Sequence, residues 1–442
     1  MWPALFTVLL IVARLTKSIE TIGMNVNLIR TANFYLNTTT TCKNNSLSSH
    51  LALFQRDLTD HGRENLYNTQ LVRPHSPGNK IIATSIHRQA SQWKQLENWF
   101  ADSPQEISSE QVRNAIDQKT KPPGSLGQIE ILAAQLALLQ GSLTPSLEQG
   151  RIVVFGADHG VADEGVSAFP TDVTTQMMTN FANGGAAVCA LGSVTSMDIE
   201  VVDVGVNNDL GHLPSIVHAK VAQGTSNFSK APAMTVAQRD AAVDAGRLSI
   251  TRALANNKQC VGLGEMGIAN TSSASAIIAL LLNVSAQRVT GRGTGIDDTA
   301  LAHKAKVIQS AIDMHKPHAT DAMSVLRHVG GFEIAAMVGA ILEACQNQLP
   351  VLVDGFISSA AALIAVRHEP QVRRCLIFSH ESAESGHGAV LEALNATPIL
   401  KLNMRLGEGS ATALAFPILQ AAVAMMTKMS TFADAGVSEK ST

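Results

Sequence analysis

The chain has 442 residues, of which 45% are hydrophobic and 16% are charged, so a large buried core is possible and the charged surface is thin. The formal net charge is -3 and no Lys/Arg run occurs, so the sequence gives no electrostatic reason to expect nucleic-acid binding. With only 4% aromatic residues, the core is built from Ala, Val, Ile and Leu, as is typical of close-packed helix–sheet layers.

Residues 1–89 are predicted to be a poorly ordered extension, because they are polar around TTTTCKNNSLSSH and show no sustained period. The apolar run Trp2–Ala13 is too short to cross a membrane, and no membrane partner is expected. It resembles the apolar region of a signal peptide, but no basic side chain precedes it and no clear cleavage site follows. Secretion, anchoring and a start codon placed too far upstream all stay open as explanations.

Residues 90–150 are predicted to form a small helical segment that packs with the C-terminal helices as a lesser domain. Helical spacing begins near Ala90, continues over Ser109–Gln118 with Ser108 or Ser109 as N-cap, and resumes over Leu126–Gln140. Pro122-Pro123-Gly124 separates the last two helices.

Residues 151–437 alternate short apolar runs with Ala-rich helical stretches, and this predicts an α/β domain. Such alternation favours a parallel, Rossmann-like sheet covered by helices on both faces, in three layers. The predicted strands are Ile152–Phe155, Ile199–Val204, Cys260–Leu263, Val351–Val353, Leu376–Phe378 and Ile399–Leu402.

Four of these runs lead into loops that pair glycine with a carboxylate: Asp158, Glu265, Asp354 and Glu408. Ligands of open α/β sheets bind beyond the carboxyl ends of the strands, so we expect these loops to share one pocket. Asp158 belongs to a polar cluster with His159, and a solvated, capped loop is the alternative there.

Glu265 and Glu408 are the sharpest candidates for chemistry, because each stands between glycines and has no basic neighbour in the sequence. Burial in a tight loop raises the pKa of a carboxyl group and suits it to general-base work near neutral pH. The alternative is a structural glutamate that caps the following helix.

The glycine-rich loop Gly291–Gly295 precedes a helix that contains Lys304. Backbone N–H groups at such a helix start, together with one lysine, form a natural phosphate site. The loop is neither a P-loop nor a G-x-G-x-x-G fingerprint, so an ordinary turn is the alternative.

His380, Glu384 and His387 have a spacing that would line one face of a helix and could ligate zinc. The pattern is not H-E-x-x-H, and the glycines around His387 argue against a continuous helix. We therefore expect no metal, and we interpret this segment as a loop in which Ser382 and backbone amides contact an anionic ligand.

A series of longer motifs resembles one family, the nicotinate-nucleotide–dimethylbenzimidazole phosphoribosyltransferases of cobalamin biosynthesis. The motifs run in order from Lys121 to Val437. They are KPPGSLG, GADHGVADEGVSAFPTDVTTQMMTNFANGGAAV, GEMGIANTS, GRGTGIDD, VGGFEIAAM, LVDGFISSAA, SHESAESGHG, RLGEGSATALA and MSTFADAGV. Residues before about Ala90 lie outside the resemblance.

The resemblance implies an enzyme that transfers the phosphoribosyl group of nicotinate mononucleotide to a nitrogen of dimethylbenzimidazole. The products would be nicotinate and α-ribazole 5'-phosphate, which supplies the lower nucleotide loop of cobalamin. It implies no cofactor, a homodimer and, because the substrates are intracellular nucleotides, a cytoplasmic location. The odd number of widely spaced cysteines (Cys42, Cys189, Cys260, Cys345 and Cys375) also favours a reducing compartment.

By motif position, the resemblance gives Glu408 the role of catalytic base and Glu265 that of the second carboxylate near the ribose. Substrate binding is implied for Gly407 and for Asp354 of the V-D-G-F loop. Gly293, Lys304 and Ser382 match positions expected around the phosphate or nucleotide. Ser167, Phe169 and Gln176 fall in the stretch expected to line the flat benzimidazole slot.

Two departures and three alternatives accompany this interpretation. Ala269 and Ala411 stand where the family often has glycine, and their methyl groups could change the choice of acceptor. The alternatives are a transferase that uses a purine or phenolic acceptor, a non-catalytic nucleotide sensor, and a dinucleotide oxidoreductase. A dinucleotide oxidoreductase is disfavoured, because this sequence lacks the glycine fingerprint after the first strand.

Overall fold

The computed structural model describes residues 77–101, 106–293 and 295–438, with side chains from residue 89 onward. Trp2–Ala13, Cys42 and most of the predicted extension 1–89 lie outside the described residues. The division into an extension, a helical segment 90–150 and an α/β domain 151–437 stays a prediction. The first described helix begins at Pro77 and so crosses the predicted boundary at residue 89.

A six-stranded parallel sheet forms the centre of the fold, with the strand order β3-β2-β1-β4-β5-β6. Its strands are β1 Gly150–Ala157, β2 Met197–Gly205, β3 Ile216–His218, β4 Cys260–Met266, β5 Val351–Val353 and β6 Leu376–Phe378. The order reverses between β1 and β4, as in the doubly wound Rossmann arrangement. The predicted three-layer α/β architecture is confirmed.

The prediction of a strand over Ile399–Leu402 is wrong. Only Leu400 makes an isolated parallel bridge, to His380, and the sixth strand is instead β3. Asn403 has φ +57, a left-handed conformation that ends extended pairing, and the Leu402 side chain is exposed.

Helices cover the sheet and extend the core. Before the sheet come α1 Pro77–Phe100, α2 Ser109–Asp117 and α3 Gln128–Gln140, and Ser108 caps α2. The others are α4 Asp172–Ala182, α5 Ala187–Gly192, α6 Val236–Ala255, α7 Asn270–Leu282, α8 Ala286–Val289, α9 Asp298–His315, α10 Ala322–Val329, α11 Phe332–Gln346, α12 Phe356–His368, α13 His387–Ala393, α14 Ser410–Lys428 and α15 Phe432–Ala435.

One hydrophobic core joins the early helices, the sheet and the C-terminal helix α14. Leu96, Ile116 and Leu136 of the early helices and Phe416 of α14 are fully buried in it. Among the described residues, α14 is the one helix whose length and apolar composition would allow it to cross a membrane. Most of its apolar stretch is buried inside the fold, which is the environment of a core helix.

Candidate active site

The carboxylates predicted from the sequence come together at the carboxyl ends of the strands. Asp158 follows β1, Glu265 is the second-last residue of β4 and Asp354 follows β5. Glu408 arrives from the loop that precedes α14. Because β1 and β4 flank the point at which the strand order reverses, this edge is where a doubly wound sheet binds its ligands.

Backbone conformation fixes Glu408 in place. Gly407, Glu408 and Gly409 all have positive φ, at 85°, 65° and 85°. The two glycines adopt this region without cost, whereas Glu408 is strained there. The side chain of Glu408 is nevertheless only 7% exposed, and its Oε2 has no hydrogen-bond partner among the described residues.

Two contacts hold this loop against the sheet. A Cβ atom at Gly264 of β4 would lie 2.5 Å from the Glu408 carbonyl oxygen, so only glycine allows the loop to approach so closely. The Asp354 carboxylate accepts hydrogen bonds from the backbone N–H of Gly409 at 3.0 Å and of Ala411 at 2.8 Å. Asp354 therefore anchors the start of α14, and its predicted role as a substrate ligand stays a prediction.

Glu265 is joined directly to the Glu408 loop. Its Oε1 accepts a hydrogen bond from the Glu408 backbone N–H at 3.4 Å, and its Oε2 accepts one from Asn270 Nδ2. Any side chain at Gly407 would collide with the same carboxylate. The two glutamates, separated by 143 positions in the chain, thus form one unit.

Burial gives these carboxyl groups high proton affinity. It raises the pKa of Glu408 to about 7, and it raises the pKa of Asp354 to about 7 despite the hydrogen bonds from Ala411 and Gly409. Burial raises the pKa of Glu265 well above its usual range, and the neighbouring charges of Asp354 and Glu333 raise it further. A group that titrates near pH 7 is suited to accept a proton and release it again.

Lys304 provides a buried cation beside the glycine-rich loop. Its side chain is 1% exposed, Nζ donates a 2.7 Å hydrogen bond to Thr271 Oγ1, and burial lowers its pKa to about 8. A Cβ atom at Gly293 would lie 3.2 Å from this Nζ. Among the described residues, no carboxylate lies within ion-pair distance of Nζ, although the charge of Glu384 acts on it and opposes the effect of burial.

The segment after β6 is a loop. His380 follows the strand, and His387 begins α13, so the two side chains do not share a helix face. The Ser382 backbone N–H donates to His387 Nδ1 at 2.8 Å, which places the His387 proton on Nε2, 3.0 Å from Ser359 Oγ. In the part of the chain that the structure describes, no group of three or more potential ligands could hold a metal ion.

Ser167, Phe169 and Gln176 lie on the segment that leads into α4 and on α4 itself. Phe169 is an exposed aromatic side chain, Gln176 is exposed, and the Ser167 hydroxyl accepts a hydrogen bond from the Phe169 N–H at 3.3 Å. Thr174 of the same helix accepts a hydrogen bond from the Ile268 N–H at 3.1 Å. This bond ties the segment to the loop that follows Glu265, and the slot assignment itself stays a prediction.

Sequence reasoning did not single out Glu333, at the start of α11. Its carboxylate lies 2.6 Å from His159 Nε2, and both side chains are fully buried. Glu333 stands in an ordinary apolar helix sequence, FEIAAM, and no local pattern reveals that it points toward a residue 174 positions away.

Comparisons with known proteins identify the family of the chain. A family model described as Phosphoribosyltransferase matches residues 101–437. A protein of Pseudomonas putida (strain W619) named nicotinate-nucleotide–dimethylbenzimidazole phosphoribosyltransferase is 47% identical over 345 residues, which cover 77% of this chain and 98% of that relative. The chain belongs to this phosphoribosyltransferase family. The resemblance noted from the sequence motifs is confirmed.

A second relative and a solved structure extend the comparison. A Citrifermentans bemidjiense protein with the same name is 47% identical over 322 residues, covering 73% of this chain and 92% of the relative. The crystal structure of CobT from Thermus thermophilus superposes with a TM-score of 0.73 at 40% identity, covering 75% of this chain and 99% of that one. The match therefore includes nearly the whole length of each relative.

The departure at Ala269 carries a structural cost. This residue precedes α7 with φ +74, a conformation that glycine adopts freely and alanine does not. Ala411 lies in the first turn of α14, where it is buried and donates its N–H to Asp354. Neither alanine replaces a group that takes part in chemistry.

Proposed function

We propose that this protein transfers the phosphoribosyl group of nicotinate mononucleotide to dimethylbenzimidazole, giving nicotinate and α-ribazole 5'-phosphate for the lower nucleotide loop of cobalamin. Family membership supports the reaction. The single observation that supports the chemistry in this chain is the buried Glu408 carboxyl, whose Oε2 lacks a partner among the described residues and whose pKa burial raises to about 7.

The reaction requires little beyond positioning and one proton acceptor. The acceptor nitrogen attacks the anomeric carbon, and the glycosidic electron pair returns to the pyridinium ring of nicotinate, which leaves without acid catalysis. The new bond leaves the benzimidazole cationic until its ring N–H proton passes to Glu408. Attack from the face opposite the leaving group inverts the anomeric centre.

The remaining predicted residues have roles that their positions support. Lys304, beside the Gly293 loop, would pair with the 5'-phosphate, and Ser382 lies in the loop after β6. Glu265 would face the ribose, where positive charge develops as nicotinate departs. Holding both reactants in line converts a bimolecular encounter into a nearly unimolecular step.

The test is a product assay on the full chain with Glu408→Gln. We expect the parent to release nicotinate and form α-ribazole phosphate, with a rate that falls as the pH drops below about 7, because protonated Glu408 cannot accept a proton. The variant should lose turnover by on the order of a hundred- to ten-thousand-fold and still bind nucleotide.

Glu381→Gln is the matched control, since Glu381 lies in the same region but forms an exposed ion pair with Lys401. It should leave turnover unchanged. Equal rates in Glu408→Gln and the parent would remove Glu408 from the base role. Turnover only with purine or phenolic acceptors, or nucleotide binding without turnover, would instead favour one of the alternatives left open by the sequence.

We also propose that the protein is a homodimer in the cytoplasm. The family resemblance supports the dimer, which light scattering on the purified chain would test. The four cysteines in the described residues are free thiols, as is typical of a reducing compartment. Fractionation of the producing cells would test the location.

A further inference from the structure

The His159–Glu333 pair lies at the centre of the strand ends, where it fills no role in the reaction described above. His159 follows β1, and a backbone bridge to Thr225 fixes its main chain. Glu333 lies in the first turn of α11, where a negative charge interacts favourably with the helix dipole. Their side chains meet at 2.6 Å without exposure to solvent.

Two glycines allow the His159 ring to contact two different loops. A Cβ atom at Gly331, which precedes α11, would lie 2.8 Å from His159 Nε2 and 2.5 Å from Glu333 Oε2. A Cβ atom at Gly267 would lie 3.3 Å from the same Nε2. The ring is therefore packed between the start of α11 and the loop that directly follows Glu265.

The same loop leads to a contact that orients Glu265. Asn270, the first residue of α7 directly after this loop, donates to Glu265 Oε2, while the Glu408 N–H donates to Oε1 from the other side. Displacement of the His159 ring would leave the loop without the surface against which Gly267 rests. The Glu265 carboxyl group would then no longer be held in one orientation, although His159 itself forms no hydrogen bond with it.

We propose that the buried His159–Glu333 pair is a positioning element of this active site, which fixes the loop after β4 and thereby aims Glu265 at the reacting sugar. The inference rests on the proposed transferase function. A displacement of about 1 Å in a catalytic group can reduce the rate about a hundred-fold, so a pair that touches no substrate can still have a large effect on turnover.

Charge gives the pair a second, measurable effect. The groups facing Glu265 are Glu333 from α11, Asp354 from the loop after β5, Asn270 from the start of α7, and the Glu408 N–H. Asp158, beside His159, also feels the charge of Glu333. Replacement of Glu333 by glutamine removes one of the negative charges that raise the pKa of Glu265, so that pKa should fall.

The experiment compares His159→Gln, Glu333→Ala, the double variant and Glu333→Gln in the nicotinate-release assay. We expect each of the first two to lower kcat by about 10- to 100-fold while KM for nicotinate mononucleotide changes by less than about threefold. The double variant should be no slower than the slower single variant, because the two residues act as one unit. Glu343→Ala, which removes a carboxylate from the other end of α11, should keep the parental kcat.

Glu333→Gln keeps an oxygen that accepts the His159 hydrogen bond. It should regain most of kcat. It should also move the acid limb of the pH–rate profile, to which the ionisation of Glu265 contributes together with that of Glu408, to lower pH, because one negative charge beside Glu265 is removed. If the first two variants do not fold, this shift alone decides the question. Parental kcat in both single variants, losses that multiply in the double variant, or an unmoved limb in Glu333→Gln would overturn the proposal. An inactive parent would instead count against the proposed function.

Discussion

The charged side chains at the amino-terminal and carboxyl-terminal edges of the sheet differ in whether they have partners of opposite charge. At the amino-terminal edge, Arg151 of β1 pairs with Asp198 at 2.8 Å and with Glu200 at 3.1 Å, and Arg252 reaches Glu200 at 2.7 Å. Lys258 closes the network on Asp198 at 2.9 Å. Every charge in this group has a partner of opposite sign.

The pKa directions follow from this difference. Burial alone would raise the pKa of Asp198, but hydrogen bonds from Arg151 and Lys258 outweigh it, so the pKa is lowered. At the carboxyl-terminal edge no described cation pairs with Glu265, Asp354 or Glu408, and burial raises the pKa of all three. The carboxylates of the first network form ion pairs, whereas Glu265, Asp354 and Glu408 have no described cationic partner and a raised pKa.

Substitution of one lysine at each edge should give the largest difference between an effect on activity and an effect on stability. Lys304→Met removes a buried cation that forms no ion pair among the described residues, so kcat/KM for nicotinate mononucleotide should fall by on the order of 10- to 100-fold, mainly through KM. Lys258→Met removes an ion pair at the other edge and should keep kcat/KM while lowering the unfolding temperature. A similar kcat/KM in both variants would abolish the distinction. Steady-state kinetics with both substrates varied provides the measurement.

The difference in stability between Glu408→Gln and the parent should depend on pH. In the folded protein Glu408 holds its proton up to about pH 7, whereas in the unfolded chain it loses the proton near pH 4.5. The stability that this group contributes is therefore complete below pH 4.5 and is lost as the pH rises through 7.

At pH 8 we accordingly expect Glu408→Gln to be more stable than the parent, by on the order of 1–3 kcal/mol, with the difference shrinking toward about pH 4.5. Glu200→Gln, at the amino-terminal edge, should be less stable than the parent at the same pH, because it loses the ion pairs with Arg151 and Arg252. Urea unfolding at several pH values measures both. A Glu408→Gln variant that loses stability under these alkaline conditions would show that its charged form is well accommodated.

The smallest effect concerns backbone strain at the carboxyl-terminal edge. Ala269→Gly should stabilise the fold by about 0.5–1 kcal/mol, because glycine adopts φ +74 without the penalty that alanine incurs. Ala274→Gly, inside the helix α7 that Ala269 precedes, should instead destabilise the fold by about 1 kcal/mol or more. Thermal unfolding of the two variants side by side provides the measurement, and equal signs would exclude strain at Ala269.

The sequence predicts most of the fold and part of the site, for physical reasons that can be named. Val351–Val353 and Leu376–Phe378 are predicted to the residue, because short unbroken apolar runs between helices are typical of buried parallel strands. Strand β3, with the sequence IVH, is too short to carry a period. Ile399–Leu402 has the composition of a strand, but only tertiary contacts decide which segment pairs at the sheet edge.

The same limit applies to the site. Glu265 and Glu408 are recognisable because glycines flank them beside strand ends, and that arrangement is local in sequence. Glu333 has no such context, and its contact with His159 depends on how α11 lies across the sheet. Asp354 follows a strand like the others, yet its two oxygens bind backbone N–H groups, which only the folded loop can show.

The three successive left-handed residues at positions 407–409 have a consequence for how this enzyme could diversify. If Glu408 is the proton acceptor that we propose, it is aimed by main-chain torsions and by the Asp354 contacts beneath its loop, so the side chains around the incoming ring are not needed to orient it. Exposed residues such as Phe169 could be exchanged to admit a bulkier or more polar heterocycle while the acid–base machinery stays intact. Under the proposed roles of Glu408 and Phe169, acceptor choice and proton transfer would be separately adjustable.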